Sequence, residues 1–246
     1  MIRAVGVIVP AHNEQELLPS CLGSLRRAAR AVRGTPVQLV VVADACCDRT
    51  AHVARRGGTA VVTIGARSVG AARAAGAREV LRRTRHLDPA DVWLATTDAD
   101  TLVPGCWLLQ QIRLADQGWD AVAGTIRVAD WSGYPPRVRA AFRGRYGAGR
   151  GPHPHVHGAN LGFRAAAYLK AGGFPDVPTA EDHALVVKGF DRGQNLKNDR
   201  NRACWRQTSA LGQDLVQSSF FVIVHRSSTG RTSSPTEKIL RMAGRK

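Results

Sequence analysis

The sequence predicts an α/β protein built on one open, mostly parallel sheet flanked by helices. Three observations predict it. Residues 5–10 (VGVIVP), 37–43 (VQLVVVA) and 92–97 (VWLATT) are short apolar runs, mostly β-branched, with no polar alternation. Strands buried on both faces read this way. Segments with helical spacing follow them, such as Glu16-Leu17-Leu18 with Leu22 and Leu25. Short polar turns join the two kinds of segment, which is the repeating half of a βαβ unit.

Taken in order, residues 5–10 form the first strand. Ala11-His12-Asn13-Glu14 turns the chain, with Asn13 the expected N-cap of the first helix and Glu residues in its first turn. Residues 37–43 form the second strand, ending at Asp44, and Asp48 or Thr50 caps a helix through residues 53–56. Residues 59–64 make a short third strand. Ser68 opens an Ala/Gly-rich helix to about Arg83, whose small residues allow close packing on a sheet. Residues 92–97 form the fourth strand, with Asp98 at its carboxyl end, and residues 121–128 read as the fifth. Residues 130–151 carry Trp131, Tyr134, Phe142 and Tyr146 among Arg137, Arg139, Arg143, Arg145 and Arg150. Two readings are open here: a lid whose arginines meet a diphosphate, or a solvated amphipathic helix. Residues 160–164 lead into a short helix over 165–171, stopped by Gly172-Gly173-Phe174-Pro175. Thr179-Ala180-Glu181-Asp182 begins another helix.

At 246 residues and 44% hydrophobic, the chain can bury one large core. Its 35 Lys+Arg against 19 Asp+Glu give a net charge of +16 and point to anionic partners. From Lys188 to Lys246 there are 12 basic and 4 acidic residues, so half the excess lies in the last quarter. No basic run is interleaved with aromatics, which argues against single-stranded nucleic acid as the partner. The five cysteines contain no C-x-x-C pair, so neither a zinc site nor a disulfide framework is expected. The apolar runs ending at Pro10 and at Val224 are too short for a signal segment or a membrane span. A cytoplasmic protein is expected. Peripheral contact with the inner face of a membrane is compatible with the basic tail.

In an open α/β sheet, ligands lie beyond the carboxyl ends of the parallel strands. That rule gathers Pro10, Ala11, Asn13, Glu14, Asp44, Asp98 and Asp100 at one edge. Asp98 and Asp100 sit one residue apart, and two carboxylates so placed can hold Mg²⁺ or Mn²⁺ with diphosphate oxygens on its remaining positions. A capped, solvated turn would use the same residues. The first turn lacks G-x-G-x-x-G and no Walker loop is present, so side chains and a metal must hold any nucleotide. His153, His155 and His157 recur at period two. A metal role is one reading, and hydrogen-bonding an acceptor is the other for His157. Glu181 and Asp182 either complement a helix dipole or supply a general base.

The motifs VIVPAHNE (7–14), VVVADACCDRT (40–50), GAARAAG (70–76), TTDAD (96–100), GANLGFR (158–164), GGF (172–174) and EDHALV (181–186) together resemble family 2 glycosyltransferases of the GT-A fold, from residue 1 to about 190. The resemblance implies transfer of a sugar from a UDP- or GDP-sugar to a hydroxyl acceptor, with inversion. It places Pro10, Ala11, Asn13 and Glu14 against the nucleotide, Asp44 at the base, and Arg73 near base or ribose. It sets Asp98 toward the ribose and metal, Asp100 on the metal, and Asp182 as catalytic base. His157, Gly158, Asn160 and Glu181 fall on the acceptor side. The sequence departs from the family at Ala43, where a second acid usually stands, and has no Q-x-x-R-W motif. His225 is a poor candidate for a further metal ligand.

The expected organisation is a GT-A domain over residues 1–190, with a nucleotide-binding half (1–118) and an acceptor-side half (119–190). Residues 191–246 form a basic C-terminal segment, divergent and partly disordered. The acceptor is open, and a lipid-linked one is compatible with the charge. Two other functions compete. A sugar-nucleotidyltransferase would carry a glycine-rich basic loop after the first strand, which is missing here. A non-catalytic basic module would bind anions without turnover.

Overall fold

The computed structural model describes residues 1–128, 131, 135–146, 158–175, 181, 182, 185 and 221–224. The strands are β1 (Ala4–Ala11), β2 (Val37–Asp44), β3 (Ala60–Ile64), β4 (Val92–Thr96), β5 (Thr101–Leu102), β6 (Ala121–Ala123), β7 (Thr125–Val128), β8 (Leu161–Arg164) and β9 (Phe221–Val224). The helices are α1 (Leu18–Ala31), α2 (Thr50–Arg56), α3 (Val69–Arg83), α4 (Trp107–Asp116), α5 (Pro136–Tyr146) and α6 (Ala165–Lys170).

The main sheet runs β3-β2-β1-β4-β8-β6. β1 to β4 are parallel, β8 is antiparallel to β4, and β6 is antiparallel to β8. The continuous apolar runs of β1 and β4 are buried throughout, as expected of strands covered on both faces. On one face, Val5, Val7 and Val9 meet Leu18, Leu22 and Leu25 of α1, with Trp107 and Leu108 of α4 in the same cluster. On the other face, Ile8, Val40, Val42 and Leu94 pack with Ala72, Ala75 and Val80 of α3.

The small residues of α3 and β1 set that second contact. A Cβ added at Gly6 would lie 2.2 Å from Val80 Cγ1, so no side chain fits between strand and helix. Gly6→Ala is expected to destabilise the protein by about 1–3 kcal/mol, the usual effect of overpacking a core. Guanidinium denaturation measures it, and an unchanged midpoint would mean that α3 can retreat from the sheet.

Three expectations are corrected. Residues 121–128 are not one strand: β6 belongs to the main sheet, and β7 joins a second sheet ordered β5-β9-β7. Gly124 divides them. Its N–H donates to Asn160 O at 2.8 Å, and a Cβ there would meet the Asn160 amide at 2.1 Å. Asn13 is not the N-cap of α1. Leu17 holds that place without a side-chain cap, and the first turn contains no acid. Asn13 instead takes a left-handed conformation (φ 56°), and its Oδ1 accepts from Cys47 N at 2.8 Å. Residues 161–164 are not simply a lead into α6 but an inserted antiparallel strand.

Ser68 caps α3, accepting from Ala71 N at 3.3 Å. Within residues 130–151, a helix is described over Pro136–Tyr146. Val138 and Phe142 are buried, Arg137 and Arg139 are exposed, and Trp131 packs edge-on against Phe142. The apolar run near the end of the chain supplies β9, antiparallel to β5 and parallel to β7. No helix among the described residues is long and apolar enough to cross a membrane.

Candidate active site

β2, β1 and β4 are neighbours in the sheet, so their carboxyl ends share one edge. At the end of β2, Asp44 is 5% exposed. Its Oδ1 accepts from Arg67 N at 2.8 Å and its Oδ2 from Ser68 N at 2.7 Å, tying the strand to the start of α3. The His12 ring donates through Nδ1 to Asp44 O at 2.6 Å. Asn13, Ala45 and Arg67 all have positive φ (56°, 49° and 51°), a conformation side chains disfavour. Three such residues surround Asp44, and backbone held this way concentrates at ligand sites. Pro10 and Ala11 end β1 and are buried, and Glu14, also buried, donates its N–H to Thr50 Oγ1 at 2.8 Å.

β4 ends at Thr96, and the next residues turn sharply. Thr97 N donates to Ile8 O at 3.2 Å and Thr101 N to Asp98 O at 3.1 Å. The Asp98 side chain is 14% exposed, and Asp100 is 3% exposed with its Oδ1 accepting from Thr101 Oγ1 at 3.2 Å. Cys21 lies beneath, its thiol donating to Asp98 O at 3.4 Å. Burial pushes that thiol well up, and the negative charges of Asp100 and Asp98 add to the effect, so it stays a neutral donor.

Arg73 of α3 draws the motifs together. It is buried, with Nη2 2.5 Å from Asp98 Oδ1 and Nη1 bonded to Glu181 Oε1. Burial would lower the guanidinium pKa, but the charges of Asp98, Glu181 and Asp182 outweigh it and raise it. The Gly158 backbone lies against the guanidinium: a Cβ added there would fall 2.2 Å from Arg73 Cζ. Gly158 N donates to Asp182 Oδ2 at 2.8 Å, and Gly158 O accepts from Thr96 Oγ1 at 2.5 Å. Asp182 is 2% exposed. Five segments, at residues 70–76, 96–100, 158–160, 172–175 and 181–182, therefore meet at the end of β4. The fourth enters through Gly70, whose added Cβ would meet Pro175 O at 2.9 Å and Glu181 Cβ at 3.1 Å.

Three of the expected site residues have protein partners of their own. Asn160 was expected on the acceptor side. It is fully buried, and its Oδ1 accepts from Trp107 Nε1 at 2.8 Å while its carbonyl holds Gly124. It builds the wall behind the site, because a buried indole N–H needs an acceptor. Gly158 is likewise buried, under Arg73. Arg73, expected near base or ribose, has both terminal nitrogens engaged by carboxylates. His157, His153, His155, His225 and residues 129, 130, 132–134 and 147–152 lie outside the described residues. Thr96 and Gly70 were not singled out in the sequence. They open the TTDAD and GAARAAG motifs, but nothing marks a threonine hydroxyl or a contact glycine in advance.

Among the described residues, no three His, Cys, Asp or Glu side chains are grouped to hold a metal. Asp98 and Asp100 offer two carboxylates and no nitrogen or sulfur. That donor set fits Mg²⁺ or Mn²⁺, which bind through one or two carboxylates and fill their other positions with phosphate oxygens and water.

Residues 6–171 match the family model described as Glycosyl transferase family 2. No curated protein matches the sequence. Several solved structures share the fold. TarS 1-349 from S. aureus, in complex with UDP-GlcNAc, is 15% identical with a TM-score of 0.62, covering 98% of this chain and 65% of that one. The mannosyltransferase PcManGT from Pyrobaculum calidifontis, in complex with GDP-Man and Mn²⁺, is 22% identical with a TM-score of 0.55, covering 96% and 60%. Glucosyl-3-phosphoglycerate synthase from Mycobacterium tuberculosis, in complex with Mn²⁺, UDP and glucosyl-3-phosphoglycerate, is 19% identical with a TM-score of 0.54, covering 98% and 76%. The chain spans less than two thirds of the length of the first two.

Proposed function

Because this chain belongs to glycosyl transferase family 2 and has the GT-A fold, we propose that it transfers a sugar from a nucleotide-sugar to a hydroxyl acceptor. One observation carries the reading: the Asp98–Asp100 turn and Asp182, far apart in sequence, meet through Arg73 and Gly158 at the carboxyl end of β4. Neighbours crystallised with UDP-GlcNAc and GDP-Man support a UDP- or GDP-sugar as donor.

In this reading the first turn (Pro10, Ala11, Asn13, Glu14) and Asp44 bound the nucleotide, Asp98 faces its ribose and the metal, and Asp100 faces the metal at the diphosphate. Two carboxylates beside a diphosphate repel it, so a bound Mg²⁺ or Mn²⁺ would hold the pair and stabilise the charge that builds on the leaving group. Asp182 takes the proton of the acceptor hydroxyl. The acceptor oxygen forms its bond to the anomeric carbon on the face opposite the diphosphate. The carbon–oxygen bond to phosphate breaks, and its electron pair leaves with the nucleoside diphosphate. The product is inverted, and no covalent enzyme intermediate is required.

A screen of UDP- and GDP-sugars, read by released nucleoside diphosphate with and without Mn²⁺, tests the reaction. Asp100→Ala is expected to weaken nucleotide-sugar binding about tenfold or more in calorimetry with Mn²⁺ and to change it little without metal. Equal affinity of wild type and variant with Mn²⁺ would remove Asp100 as a metal ligand.

A further inference from the structure

We infer that Arg73 is a positioning residue that couples the two substrate sites, acting through Asp98 and Glu181 rather than by binding the nucleotide itself. This rests on the transfer reading above. The Arg73 side chain is 2% exposed, and its two terminal nitrogens each meet a carboxylate from a different segment. Its Nε has no hydrogen-bond partner among the described residues. A guanidinium enclosed in this way cannot reach a base or ribose without releasing one of its carboxylates.

What it holds is more informative. Asp98 belongs to the turn that faces the donor diphosphate. Glu181 is wholly buried and is the residue before Asp182. Asp182 is fixed a second time by Gly158 N, and the Gly158 backbone rests on the same guanidinium. Two supports of Asp182 among the described residues therefore trace back to Arg73. Gly70 lets the Glu181 segment come this close, since a side chain there would strike Pro175 O and Glu181. Arginine suits the task and lysine does not: its planar fork addresses two carboxylates at once, whereas an ammonium is a single point charge.

The full chain and the variants Arg73→Lys, Glu181→Gln and the double variant test this, with transfer kinetics, thermal melting, and calorimetric affinity for UDP and GDP in Mn²⁺. Each single variant is expected to lower kcat about tenfold or more while nucleotide affinity stays within about threefold. The double variant is expected to be no slower than the worse single one, because both break one coupling. An Arg73→Lys variant that keeps kcat and loses nucleotide affinity would make Arg73 a nucleotide ligand and overturn the inference. Multiplicative losses in the double variant would do the same. If Arg73→Lys does not fold, Glu181→Gln decides alone, since it leaves the Arg73–Asp98 pair intact. Unchanged kcat in that variant overturns the inference while the transfer reading stands. A wild-type chain that neither turns over nor binds nucleotide overturns both.

Discussion

Asp182→Asn is expected to lower kcat for transfer by about 10²–10⁴-fold, the usual contribution of a general base, and to leave donor affinity within about twofold. The substitution keeps the shape of the side chain. Its amide oxygen can still accept from Gly158 N, so the support seen at 2.8 Å survives. What disappears is the ability to take a proton. The change also removes the charge that Asp182, with Asp98 and Glu181, presents to Arg73 among the described residues. Kinetics with the released nucleoside diphosphate as readout, beside calorimetry of the donor, separates the two quantities. Turnover within tenfold of wild type would remove Asp182 as the base. Loss of donor binding would instead make it a donor-side residue.

Much of the fold was legible because strands buried on both faces leave an unmistakable run of apolar residues. β1, β2 and β4 were read close to their ends for that reason, and with them the edge that carries Pro10, Asp44 and Asp98. The start of α3 at Ser68 was legible from the Ala/Gly-rich run that follows it, whereas the cap expected at Asn13 was not found. β8 was not, since four residues containing Gly162 give no period to read and its place depends on partners far along the chain. Residues 121–128 misled for the opposite reason. They look continuous, and only the contact of Gly124 with Asn160 shows where the chain changes sheet. β9 was visible as apolar residues but not as a strand, because its partners β5 and β7 are roughly a hundred residues away in sequence. In the candidate site, the acidic residues announced themselves by type. The use of Arg73 did not: an arginine in an Ala/Gly-rich helix reads the same whether it faces a nucleotide or two carboxylates.

Gly158→Ala tests that cluster from its most crowded point and is expected to be the most damaging of the single methyl additions. The new Cβ would stand 2.2 Å from Arg73 Cζ, 2.3 Å from Nη2 and 2.4 Å from Nη1. The guanidinium cannot swing aside freely, because Asp98 and Glu181 hold it from two directions. If it moves, a buried ion pair breaks, which costs about 3–5 kcal/mol. If the Gly158 backbone moves instead, it carries the hydrogen bonds to Asp182 and Thr96 with it, and overpacking still costs about 1–3 kcal/mol. Either way the melting temperature falls, and kcat falls further than stability alone requires if Asp182 is the base, because Asp182 shifts with Gly158. Gly23→Ala supplies the contrast. That glycine lies within α1, with Arg27 Nη1 the nearest atom at 3.8 Å. There the same methyl group should raise stability by about 0.5–1 kcal/mol through helix propensity. Melting curves of the two variants should therefore move in opposite directions. A Gly158→Ala protein that melts with wild type and turns over normally would mean that Arg73 is loosely held, and the coupling between the Asp98 turn and Asp182 would have no rigid element to travel through.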